Sequence, residues 1–357
     1  MKLPELFDIP GTILPERDLV EQASSSATAR YVAQIIDGAE TAVDLTAGMG
    51  ANTWWLANKV KKVYAVEIDA DRAELLKQNF KVSGIGNVEV IEANCIDWLA
   101  ESGTKTDVAF ADPARRDAER RRKTSLEECS PAVSDLLPFL NRSFRRLIVK
   151  VSPFLDLTDI ARKIPELKGI HVVEYRREVK EVLLDIWDQG ASDEPYLKCV
   201  RLKDECPPEV FECSLADVGD SGPVRYAEAH EIADKGYLYE PSPALMKSGC
   251  FGVLAKRFPS LRKLGPNTHL FFSETLVDDF PGRIFQIEAK LSSGDLKRLK
   301  GERFGVISRN HPAKAPEIEN RYKLKSSDER FLVACTLGNS NKMILKVKKL
   351  SKTDGKN

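Results

Sequence analysis

The sequence lacks the signatures of several common functional sites. Its 357 residues include only seven cysteines and four histidines. They form no CxxC, HExxH or paired-histidine spacing, so we predict no disulfide framework and no metal site. No GxxxxGK[ST] motif is present, which argues against a Walker-type triphosphate site.

Long apolar runs are also absent. No stretch of about 18 consecutive apolar residues occurs, and the first fourteen residues are interrupted by Pro4, Pro10 and Gly11. This pattern does not fit a membrane span or a cleavable signal. We therefore expect a cytoplasmic protein with no membrane partner, and the length predicts two or three domains.

The most informative stretch is the turn Asp44-Leu45-Thr46-Ala47-Gly48-Met49-Gly50. An apolar run, Thr41 to Val43, precedes it, and a helical pattern, Asn52 to Ala57, follows. A second apolar run, Val63 to Val66, then ends at Glu67. This order of strand, glycine turn, helix, strand and acid is typical of the start of a nucleotide-binding α/β domain. Glycines allow the backbone to approach a ligand, and a carboxylate can accept hydrogen bonds from both hydroxyls of a ribose.

The form of the turn indicates which nucleotide is bound. The turn reads DxTAGMG rather than GxGxxG, so it lacks the tight pyrophosphate cradle at a helix N-terminus. A ligand with an adenosine but no phosphate fits better, and S-adenosylmethionine is such a ligand. Asp44 and Thr46 would supply polar groups for its charged amino-acid end. The alternative is an ordinary strand–turn–helix whose glycines serve only to reverse the chain.

Three motifs carry a resemblance to a known family. DLTAGMGANT, YAVEID and FADPARR resemble the cofactor-binding and catalytic motifs of class I S-adenosylmethionine-dependent methyltransferases. The closer resemblance is to a bacterial family, related to guanine-N2 RNA cap methyltransferases, that has a DPAR motif and a THUMP-like C-terminal domain. The likeness continues through QASSSATARY, LIVKVSPFLD, GYLYEPSPALMKSG, NTHLFFSE, FGVISRNHP and RFLVACTLGN. It implies an α/β fold, with a Rossmann-like methyltransferase domain followed by small α+β domains that are ferredoxin-like or THUMP-like.

The resemblance also implies a cofactor site. Asp44, Gly48 and Gly50 would lie under the methionine part of S-adenosylmethionine, and Glu67 would hold its ribose. In VIEANCIDWL, Asn94 stands where the family usually has an Asp that meets the adenine amine. The carbonyl of Asn can accept from that amine, and its amide can donate to a ring nitrogen. The predicted cofactor-binding residues are Asp44, Thr46, Gly48, Gly50, Asn52, Glu67 and Asn94.

The DPAR motif falls at the catalytic position of the family. Val108 to Ala111 is a short apolar run that predicts a strand buried on both faces of a parallel sheet. Ligands of such sheets bind beyond the carboxyl ends of the strands. A carboxylate at Asp112 can hydrogen-bond an exocyclic amine and orient its lone pair, and alignment supplies much of the rate of methyl transfer. The alternative role for Asp112 is a cap on the next helix. The predicted catalytic residues are Asp112, Pro113 and Arg115.

The DPAR motif provides no aromatic side chain. Amino-methyltransferases often have an Asp/Asn-Pro-Pro-aromatic motif here, whose aromatic ring stacks on the base. In this chain Ala114 and Arg115 occupy the last two positions. Arg115 would instead stack its guanidinium on the base or pair with a phosphate. Phe154 is the candidate replacement for the missing aromatic, with a core position as the alternative.

A dense charge run follows the motif. Residues 115–123 contain six cations and two acids. Beside a catalytic motif, such a run would attract a phosphate backbone. The alternative is a solvated loop or helix end. The predicted substrate-binding residues are Arg116, Arg120, Arg121 and Phe154.

The formal charge of zero is unevenly distributed. Residues 283–357 hold 18 Lys and Arg against eight Asp and Glu, a balance of +10 that the preceding residues offset. Such asymmetry indicates nucleic-acid contact by the basic part. A surface that merely keeps the protein soluble is the alternative.

Breaks in the pattern divide the chain into four parts. Residues 1–40 are predicted to form a leader ending in a helix, with the serines at 24–26 as its N-cap region. Residues 41–189 would form the S-adenosylmethionine-binding methyltransferase domain. Residues 190–282 follow the break QGASDEP and would form a small α+β domain, for which a ferredoxin-like fold is a candidate. Residues 283–357 would form a basic THUMP-like domain ending in a hairpin of Phe331–Thr336 and Met343–Val347.

The sequence therefore predicts an S-adenosylmethionine-dependent methyltransferase that methylates a base of structured RNA, tRNA or rRNA. Two alternatives stay open. One is a methyltransferase that acts on a protein or a small molecule. The other is a non-catalytic RNA-binding protein with a relic cofactor pocket, which the altered DPAR motif favours and the intact set of Gly48, Gly50 and Glu67 disfavours. The sequence does not specify an oligomeric state.

Overall fold

The computed structural model describes residues 3–115, 126–127, 129–188, 194–204, 206–219, 224–232 and 235–350. The chain divides into two compact units, Met1–Leu215 and Ala216–Asn357. Within the described ranges, no helix is both long enough and apolar enough to cross a lipid bilayer.

The first unit contains helices and strands in alternation. Its helices are α1 (Pro4–Phe7), α2 (Arg17–Gln22), α3 (Ser26–Ile35), α4 (Ala51–Ala57), α5 (Ala70–Val82), α6 (Cys95–Glu101), α7 (Val133–Leu136) and α8 (Leu157–Lys163). Its strands are β1 (Thr41–Asp44), β2 (Lys62–Glu67), β3 (Val88–Glu92), β4 (Thr106–Ala111), β5 (Ala114–Arg115), β6 (Cys129–Ser130), β7 (Phe144–Val151), β8 (Leu167–Tyr175), β9 (Glu178–Trp187), β10 (Tyr196–Lys203) and β11 (Cys206–Ser214). A short 3-10 helix lies at Leu137–Phe139, and another, Leu215–Gly219, begins at the last residue of this unit.

A nine-stranded sheet forms the centre of this unit, in the order β11-β10-β8-β9-β7-β4-β1-β2-β3. Strands β1, β2, β3, β4 and β7 are parallel, and β9 lies antiparallel between β7 and β8. The chain passes from β1 to β2 and β3 on one side and then crosses to β4 on the other. The glycine turn after β1 therefore lies at the point where the strand order reverses, which is where α/β sheets bind ligands. The expected Rossmann-like α/β fold is confirmed.

The strands predicted around the candidate site are confirmed as well. The three apolar runs fall within β1, β2 and β4, and nearly all of β4 is buried. The predicted serine cap is also present, since the Oγ of Ser25 accepts a hydrogen bond from the backbone N–H of Thr28 at 3.3 Å. Apolar side chains of α3 and α4 pack with residues of these strands, among them Tyr31, Val32, Leu56, Ala42, Val63, Val108 and Phe110.

The segment predicted as a separate leader is part of the first unit. Leu3, Leu6 and Phe7 are buried together with Met49 of the glycine turn and Ala51 of α4. The backbone of Ile13 also exchanges two hydrogen bonds with the side chain of Asn79 in α5, at 2.8 and 3.0 Å. The leader therefore packs against the elements that surround the glycine turn.

The predicted domain boundary at residue 189 differs from the structure. Strand β10, which follows the break QGASDEP, pairs parallel to β8, and β11 pairs antiparallel to β10. Both strands extend the first sheet instead of starting a new domain. The physical reason is that β8 leaves an edge of unpaired backbone groups, which the next strand of the chain satisfies.

The second unit is a smaller α+β body. Its helices are α9 (Pro243–Ser248), α10 (Phe251–Arg257), α11 (Ser293–Arg298) and α12 (Ala315–Tyr322). Its strands are β12 (Tyr237–Pro241), β13 (Arg262–Lys263), β14 (Phe271–Ser273), β15 (Gly282–Leu291), β16 (Gly305–Arg309), β17 (Arg330–Thr336) and β18 (Lys342–Lys349). They form a seven-stranded sheet in the order β13-β14-β12-β15-β18-β17-β16. The predicted C-terminal hairpin is confirmed by the antiparallel pairing of β17 with β18.

The predicted boundary at residue 282 also differs from the structure. Strand β12 lies before Pro281-Gly282 and β15 begins within it, yet the two strands pair antiparallel. Their apolar side chains share one core, in which Leu238 of β12 packs with Phe285 of β15 and Val333 of β17. The proline–glycine pair thus marks a turn inside one sheet and not a linker between two domains.

Candidate active site

The glycine turn and the acid of β2 are joined by a direct hydrogen bond. The backbone N–H of Gly48 donates to Oε2 of Glu67 at 2.8 Å, and the N–H of Asp69 donates to Oε1 at 3.1 Å. Glu67 is buried, with 6% of its surface exposed. A carboxylate has about four lone-pair sites, so two remain for further donors. Glu67 therefore both fixes the turn and keeps capacity to bind a diol.

The two glycines of the turn differ in what surrounds them. Both have left-handed backbone angles, with φ of +55° at Gly48 and +84° at Gly50. A Cβ at Gly50 would lie 2.7 Å from Leu76 of α5, whereas a Cβ at Gly48 would meet only a carbonyl oxygen at 3.8 Å. Gly50 is therefore required for packing against α5, and the backbone at Gly48 is the more open of the two.

Asp44 lies at the end of β1 with 1% of its surface exposed. Its carboxylate accepts hydrogen bonds from the hydroxyl of Thr53 at 2.7 Å and the backbone N–H of Thr46 at 3.2 Å. Burial raises the pKa of Asp44 to about 7 against these hydrogen bonds, and the nearby charges of Asp112 and Glu67 raise it further. A cation beside Asp44 would stabilise the ionised carboxylate.

Asp112 follows β4 and is held at two points. Its backbone N–H donates to the hydroxyl of Thr46 at 2.7 Å, which connects the DPAR motif to the glycine turn. Its carboxylate Oδ2 accepts from the ammonium of Lys150, in β7, at 2.7 Å. About a third of the Asp112 side chain, 29%, is exposed. The second carboxylate oxygen, Oδ1, makes no hydrogen bond with any described residue.

Lys150 belongs to a network that the sequence did not predict. Its ammonium donates to Oγ of Ser24 at 3.1 Å and lies 3.5 Å from Oε1 of Glu181 in β9. The hydroxyl of Ser24 in turn donates to the same oxygen of Glu181 at 3.0 Å. Burial alone would lower the pKa of Lys150, but the charges of Glu181 and Asp112 outweigh it and raise that pKa. Lys150 is therefore a cation held between two carboxylates.

Asn52 connects this network to the first turn of α4. Its amide nitrogen lies 3.5 Å from Oγ of Ser24, and only 8% of its surface is exposed. Its carbonyl Oδ1 is buried without a hydrogen-bond partner among the described residues, and so is Oε2 of Glu181. Two buried acceptors near Lys150 and the glycine turn are thus available for a ligand that donates hydrogen bonds.

The charged side chains of this region lie at one edge of the sheet. Glu181, Lys150, Asp112, Asp44 and Glu67 belong to or follow the neighbouring strands β9, β7, β4, β1 and β2. Four of these strands are parallel and end at this edge, and β9 begins there because it runs in the opposite direction. The sheet therefore brings together charged side chains that are far apart in the sequence.

The remaining predicted site residues are distributed as follows. Asn94 caps α6 through a hydrogen bond from the N–H of Ile96 at 2.9 Å, and it is exposed. Phe154 lies after β7 with 57% of its surface exposed, so the alternative of a core position is wrong. The backbone of Arg115 pairs with Cys129 in the small sheet of β5 and β6. Arg116, Arg120 and Arg121 lie outside the described residues.

The histidines do not gather into a metal site. Within the described ranges, no group of three or more His, Cys, Asp or Glu side chains can hold a metal ion. His171 lies buried between the hydroxyls of Tyr31 and Tyr196, at 2.7 and 3.0 Å. Burial lowers its pKa to about 4, so the ring is neutral at neutral pH.

The chain is similar to known proteins over both units. Residues 39–131 match the RNA cap guanine-N2 methyltransferase family, and residues 237–281 match a ferredoxin-like domain family. A solved structure of a proposed methyltransferase from Porphyromonas gingivalis W83 is 28% identical. It covers 98% of this chain and 87% of its own, with a TM-score of 0.86.

Curated relatives match only part of the chain. An uncharacterised protein of Methanocaldococcus jannaschii is 28% identical over 149 residues, which is 42% of this chain and 52% of the relative. An uncharacterised RNA methyltransferase of Clostridium acetobutylicum is 35% identical over 109 residues, which is 30% of this chain and 23% of the relative. The chain thus spans about half, or less, of the length of these relatives.

The family match, the fold and the position of the glycine turn agree. The matched residues 39–131 contain the turn, Glu67 and Asp112, and the similarity in fold extends over nearly the whole chain. By sequence and by fold, the chain is thus similar to methyltransferases: residues 39–131 resemble the RNA cap guanine-N2 methyltransferase family, and residues 237–281 of the second unit resemble a ferredoxin-like domain family.

Proposed function

We propose that this chain is an S-adenosylmethionine-dependent methyltransferase that methylates a base of structured RNA, tRNA or rRNA. The observation that carries the proposal is the carboxylate of Asp112, which is held by Lys150 at the end of β4 and connected to the glycine turn through Thr46. This is the edge of the sheet at which α/β enzymes bind their ligands.

The residues around the turn fit the proposed cofactor. Asp44 and the unpaired Oδ1 of Asn52 are acceptors suited to the charged amino-acid end, and Gly48 offers the open backbone of the turn. Glu67 would hold the ribose through its remaining lone pairs. Asn94 uses its carbonyl in the helix cap, so its amide would donate to the adenine ring. When bound, S-adenosylmethionine supplies an electrophilic methyl group on a sulfonium sulfur.

Asp112 would orient the nucleophile. Lys150 engages Oδ2, so Oδ1 remains to accept a hydrogen bond from an exocyclic amine of the substrate. That hydrogen bond aims the nitrogen lone pair, and alignment of this kind supplies a large part of the rate in group transfer. The amine loses one proton on methylation, and the carboxylate of Asp112 is the acceptor that this chain provides. Pro113 would stiffen the chain after it.

RNA as the substrate is supported by the family match and by charge. The matched family acts on RNA caps according to its description, and a relative is described as an RNA methyltransferase. The cations of residues 115–123 begin three residues after Asp112, so Arg115, Arg116, Arg120 and Arg121 would contact phosphates. Phe154 presents an exposed ring that can stack on a base. The basic residues 283–357, proposed as THUMP-like, would help to bind RNA.

Transfer of labelled methyl from S-adenosylmethionine to total cellular RNA tests the proposal. We expect the wild-type chain to label RNA and Asp112→Ala to label it at least a hundredfold more slowly, because the orienting acceptor is lost. Asp97→Ala, which changes an exposed carboxylate of α6, serves as the control. An unchanged rate for Asp112→Ala would contradict the assigned mechanism.

Ribonuclease treatment distinguishes the two other candidates. Label that persists in a lysate after ribonuclease treatment would indicate a protein or small-molecule acceptor. RNA binding without formation of S-adenosylhomocysteine would indicate a non-catalytic protein. The Lys150–Asp112 pair favours catalysis over both a relic pocket and a purely structural turn, because it positions a carboxylate with an unengaged oxygen.

A further inference from the structure

The second unit contains an open cleft of about 780 Å³. Its walls come from the ends of β12 and β16, the start of β15, the loop before α12 and the turn between β17 and β18. The polar lining of the cleft includes Glu240, Arg283, Arg309, Lys314, Thr336 and Lys342.

Curvature of the sheet creates the cleft. Glu240 lies in β12 and Arg309 in β16, with the three strands β15, β18 and β17 between them. In a flat sheet these two strands would be about 19 Å apart, farther than an arginine side chain reaches. A nitrogen of the Arg309 guanidinium nevertheless lies 2.8 Å from Oε1 of Glu240. The sheet therefore curls, and it brings the end of β16 towards β12.

Motifs with no role in methyl transfer meet at this place. Glu240 belongs to GYLYEPSPALMKSG, Arg309 to FGVISRNHP and Thr336 to RFLVACTLGN. The motif NTHLFFSE adds Thr268, whose hydroxyl donates to the backbone carbonyl of Thr336 and accepts from the side chain of Asn310 at 3.4 Å. Four separate stretches of sequence thus build one local structure.

The charge of the cleft is positive. Glu240 is buried, with 2% of its surface exposed, and each of its oxygens is engaged by an arginine: Oε2 by Arg283 and Oε1 by Arg309. Lys314 and Lys342 form no ion pair with any described residue. One carboxylate therefore faces four cations, and the excess charge suits an anionic ligand.

Two buried polar atoms in the cleft lack partners. Nε of Arg309 and Oγ1 of Thr336 make no hydrogen bond within the part of the chain that the structure describes. Both atoms can donate to an anion. A buried donor left unpaired carries a desolvation cost that a ligand oxygen would remove.

The volume of the cleft and its apolar lining indicate which class of anion fits. The cleft is larger than a single phosphate needs and falls in the range of small-ligand sites. Val306, Ile307, Pro312 and Ala315 add apolar surface beside the cations. Phosphate oxygens next to an apolar ribose or base face match this combination.

We propose that this cleft binds the phosphate groups of an RNA strand over one or two nucleotides. The proposal rests on the proposed function in that it takes RNA as the partner, and it assigns that contact to a defined site in the second unit. It predicts that Lys314, Lys342 and Arg309 contact phosphate oxygens and that Thr336 adds a hydroxyl donor.

Binding of the full chain to a fluorescein-labelled RNA hairpin with a single-stranded tail tests the site. The variant Lys314→Glu/Lys342→Glu reverses the two cleft lysines. The matched control Lys297→Glu/Lys300→Glu reverses two exposed lysines of the same unit that do not line the cleft. Both variants change the net charge equally, and all four positions are at the surface or cleft rim, so a thermal melt should show that both fold.

We expect the cleft variant to bind the hairpin at least about tenfold more weakly at 0.1 M salt. The slope of log affinity against log salt should fall by about 1.4, since each contact with a single strand contributes about 0.7. The control should stay within about twofold of the wild type. Thr336→Val, which keeps the shape but removes the donor, should weaken binding without changing the salt slope.

Three results would overturn the site. The first is that both double variants bind the hairpin equally weakly, and the second is that the cleft variant binds it as tightly as the wild type. The third is that uridine monophosphate or inorganic phosphate binds as tightly as the hairpin. Methyl transfer by the wild type is measured on the same preparations. If RNA is methylated but the cleft variant binds normally, only the cleft proposal fails. If no RNA is methylated, the proposed function fails, whatever the cleft binds.

Discussion

The ammonium of Lys150 in β7 lies 2.7 Å from Oδ2 of Asp112 at the end of β4. An ion pair of this length between partly buried groups fixes the rotation of the carboxylate and determines which of its oxygens faces outwards. Glu181 and Ser24 hold Lys150 from the other side. The proposed catalytic carboxylate of Asp112 is thus held by residues of β7, β9 and the N-terminal segment.

Lys150→Met should lower kcat for RNA methylation about a hundredfold, because a loosely held Asp112 aligns the amine poorly. The KM for S-adenosylmethionine should change little, and Lys150→Arg should restore part of the rate because arginine also pairs with a carboxylate. Steady-state kinetics with labelled cofactor measures both constants. Lys163→Met in α8 is the control for a lysine outside the network.

Stability has to be separated from positioning in that experiment. Lys150→Met leaves the carboxylate of Glu181 buried without its cation, which costs stability. The double variant Lys150→Met/Glu181→Gln removes that charge and should fold well while remaining slow. Recovery of full activity in the double variant would contradict the role assigned to Lys150.

Much of this site could be predicted from local sequence. The order of apolar runs, glycines and acids predicted β1, the turn, β2, β4 and the placement of Glu67 and Asp112. These strands can be recognised in the sequence because parallel strands buried on both faces are continuous apolar runs. The serine cap of α3 was predictable for a similar reason, since capping depends on residues within one turn.

The network around Lys150 could not be predicted in this way. Ser24 and Glu181 are separated by 157 positions, and their meeting depends on the antiparallel insertion of β9, which no local pattern specifies. The available signals were a lysine within the apolar run of residues 147–151 and a glutamate directly before the apolar run of residues 182–184. A charge buried in such a run requires a partner. The domain boundaries were wrong for a related reason, because a turn within a sheet and a linker between domains have the same proline and glycine composition.

Glu67→Gln should weaken binding of S-adenosylmethionine about ten- to a hundredfold. The backbone N–H groups of Gly48 and Asp69 donate to different oxygens of Glu67. Glutamine keeps one acceptor oxygen, and its amide nitrogen cannot accept, so one of these two N–H groups loses its acceptor. The variant therefore loosens the turn as well as the ribose site. Isothermal titration with the cofactor measures the change in Kd.

Glu92→Gln offers a matched comparison for this effect. Glu92 is the register partner of Glu67 on the neighbouring strand β3 and is exposed. Its replacement should leave the Kd unchanged. Equal effects of the two substitutions would show that net charge, and not the hydrogen bonds of Glu67, determines affinity.

Asp44 should make the free energy of unfolding depend on pH, and a substitution can isolate its part of that dependence. Its folded-state pKa of about 7 lies above the ordinary value of 3.8, so the folded state binds this proton more tightly than the unfolded state. Asp44 therefore contributes on the order of 4 kcal/mol to the free energy of unfolding below pH 3.8. This contribution is lost as the pH rises through 7. Asp44→Asn cannot titrate and should lack this component.

Urea denaturation at pH 5 and pH 8 measures the effect. The free energy of unfolding of the wild type should fall more between these two pH values than that of Asp44→Asn. Other groups titrate in both proteins, so the difference between the two pH dependences reports Asp44 alone. Identical pH dependences would mean that the carboxylate is ionised in the folded state throughout this range.

Gly50→Ala should destabilise the protein by about 2–4 kcal/mol through two separate effects. The left-handed backbone at φ +84° is strained for alanine, and its Cβ would lie 2.7 Å from Cδ2 of Leu76. Gly84→Ala isolates the first effect, because Gly84 has φ +74° but no atom within 4 Å of its Cβ position. It should lose only about 1–2 kcal/mol.

Chemical denaturation of a double-mutant cycle separates the clash from the backbone strain. A Leu76→Ala background removes the nearest atom, at 2.7 Å, and leaves the ring of Phe80 at 3.1 Å. Gly50→Ala should therefore cost less in that background than in the wild type and approach the cost of Gly84→Ala. If Gly50→Ala lowers the free energy of unfolding equally with Leu76 present or absent, the turn adjusts to the new Cβ without disturbing α5. Packing against α5 would then no longer explain the glycine at position 50, and close approach of a ligand to the backbone would become the better reason.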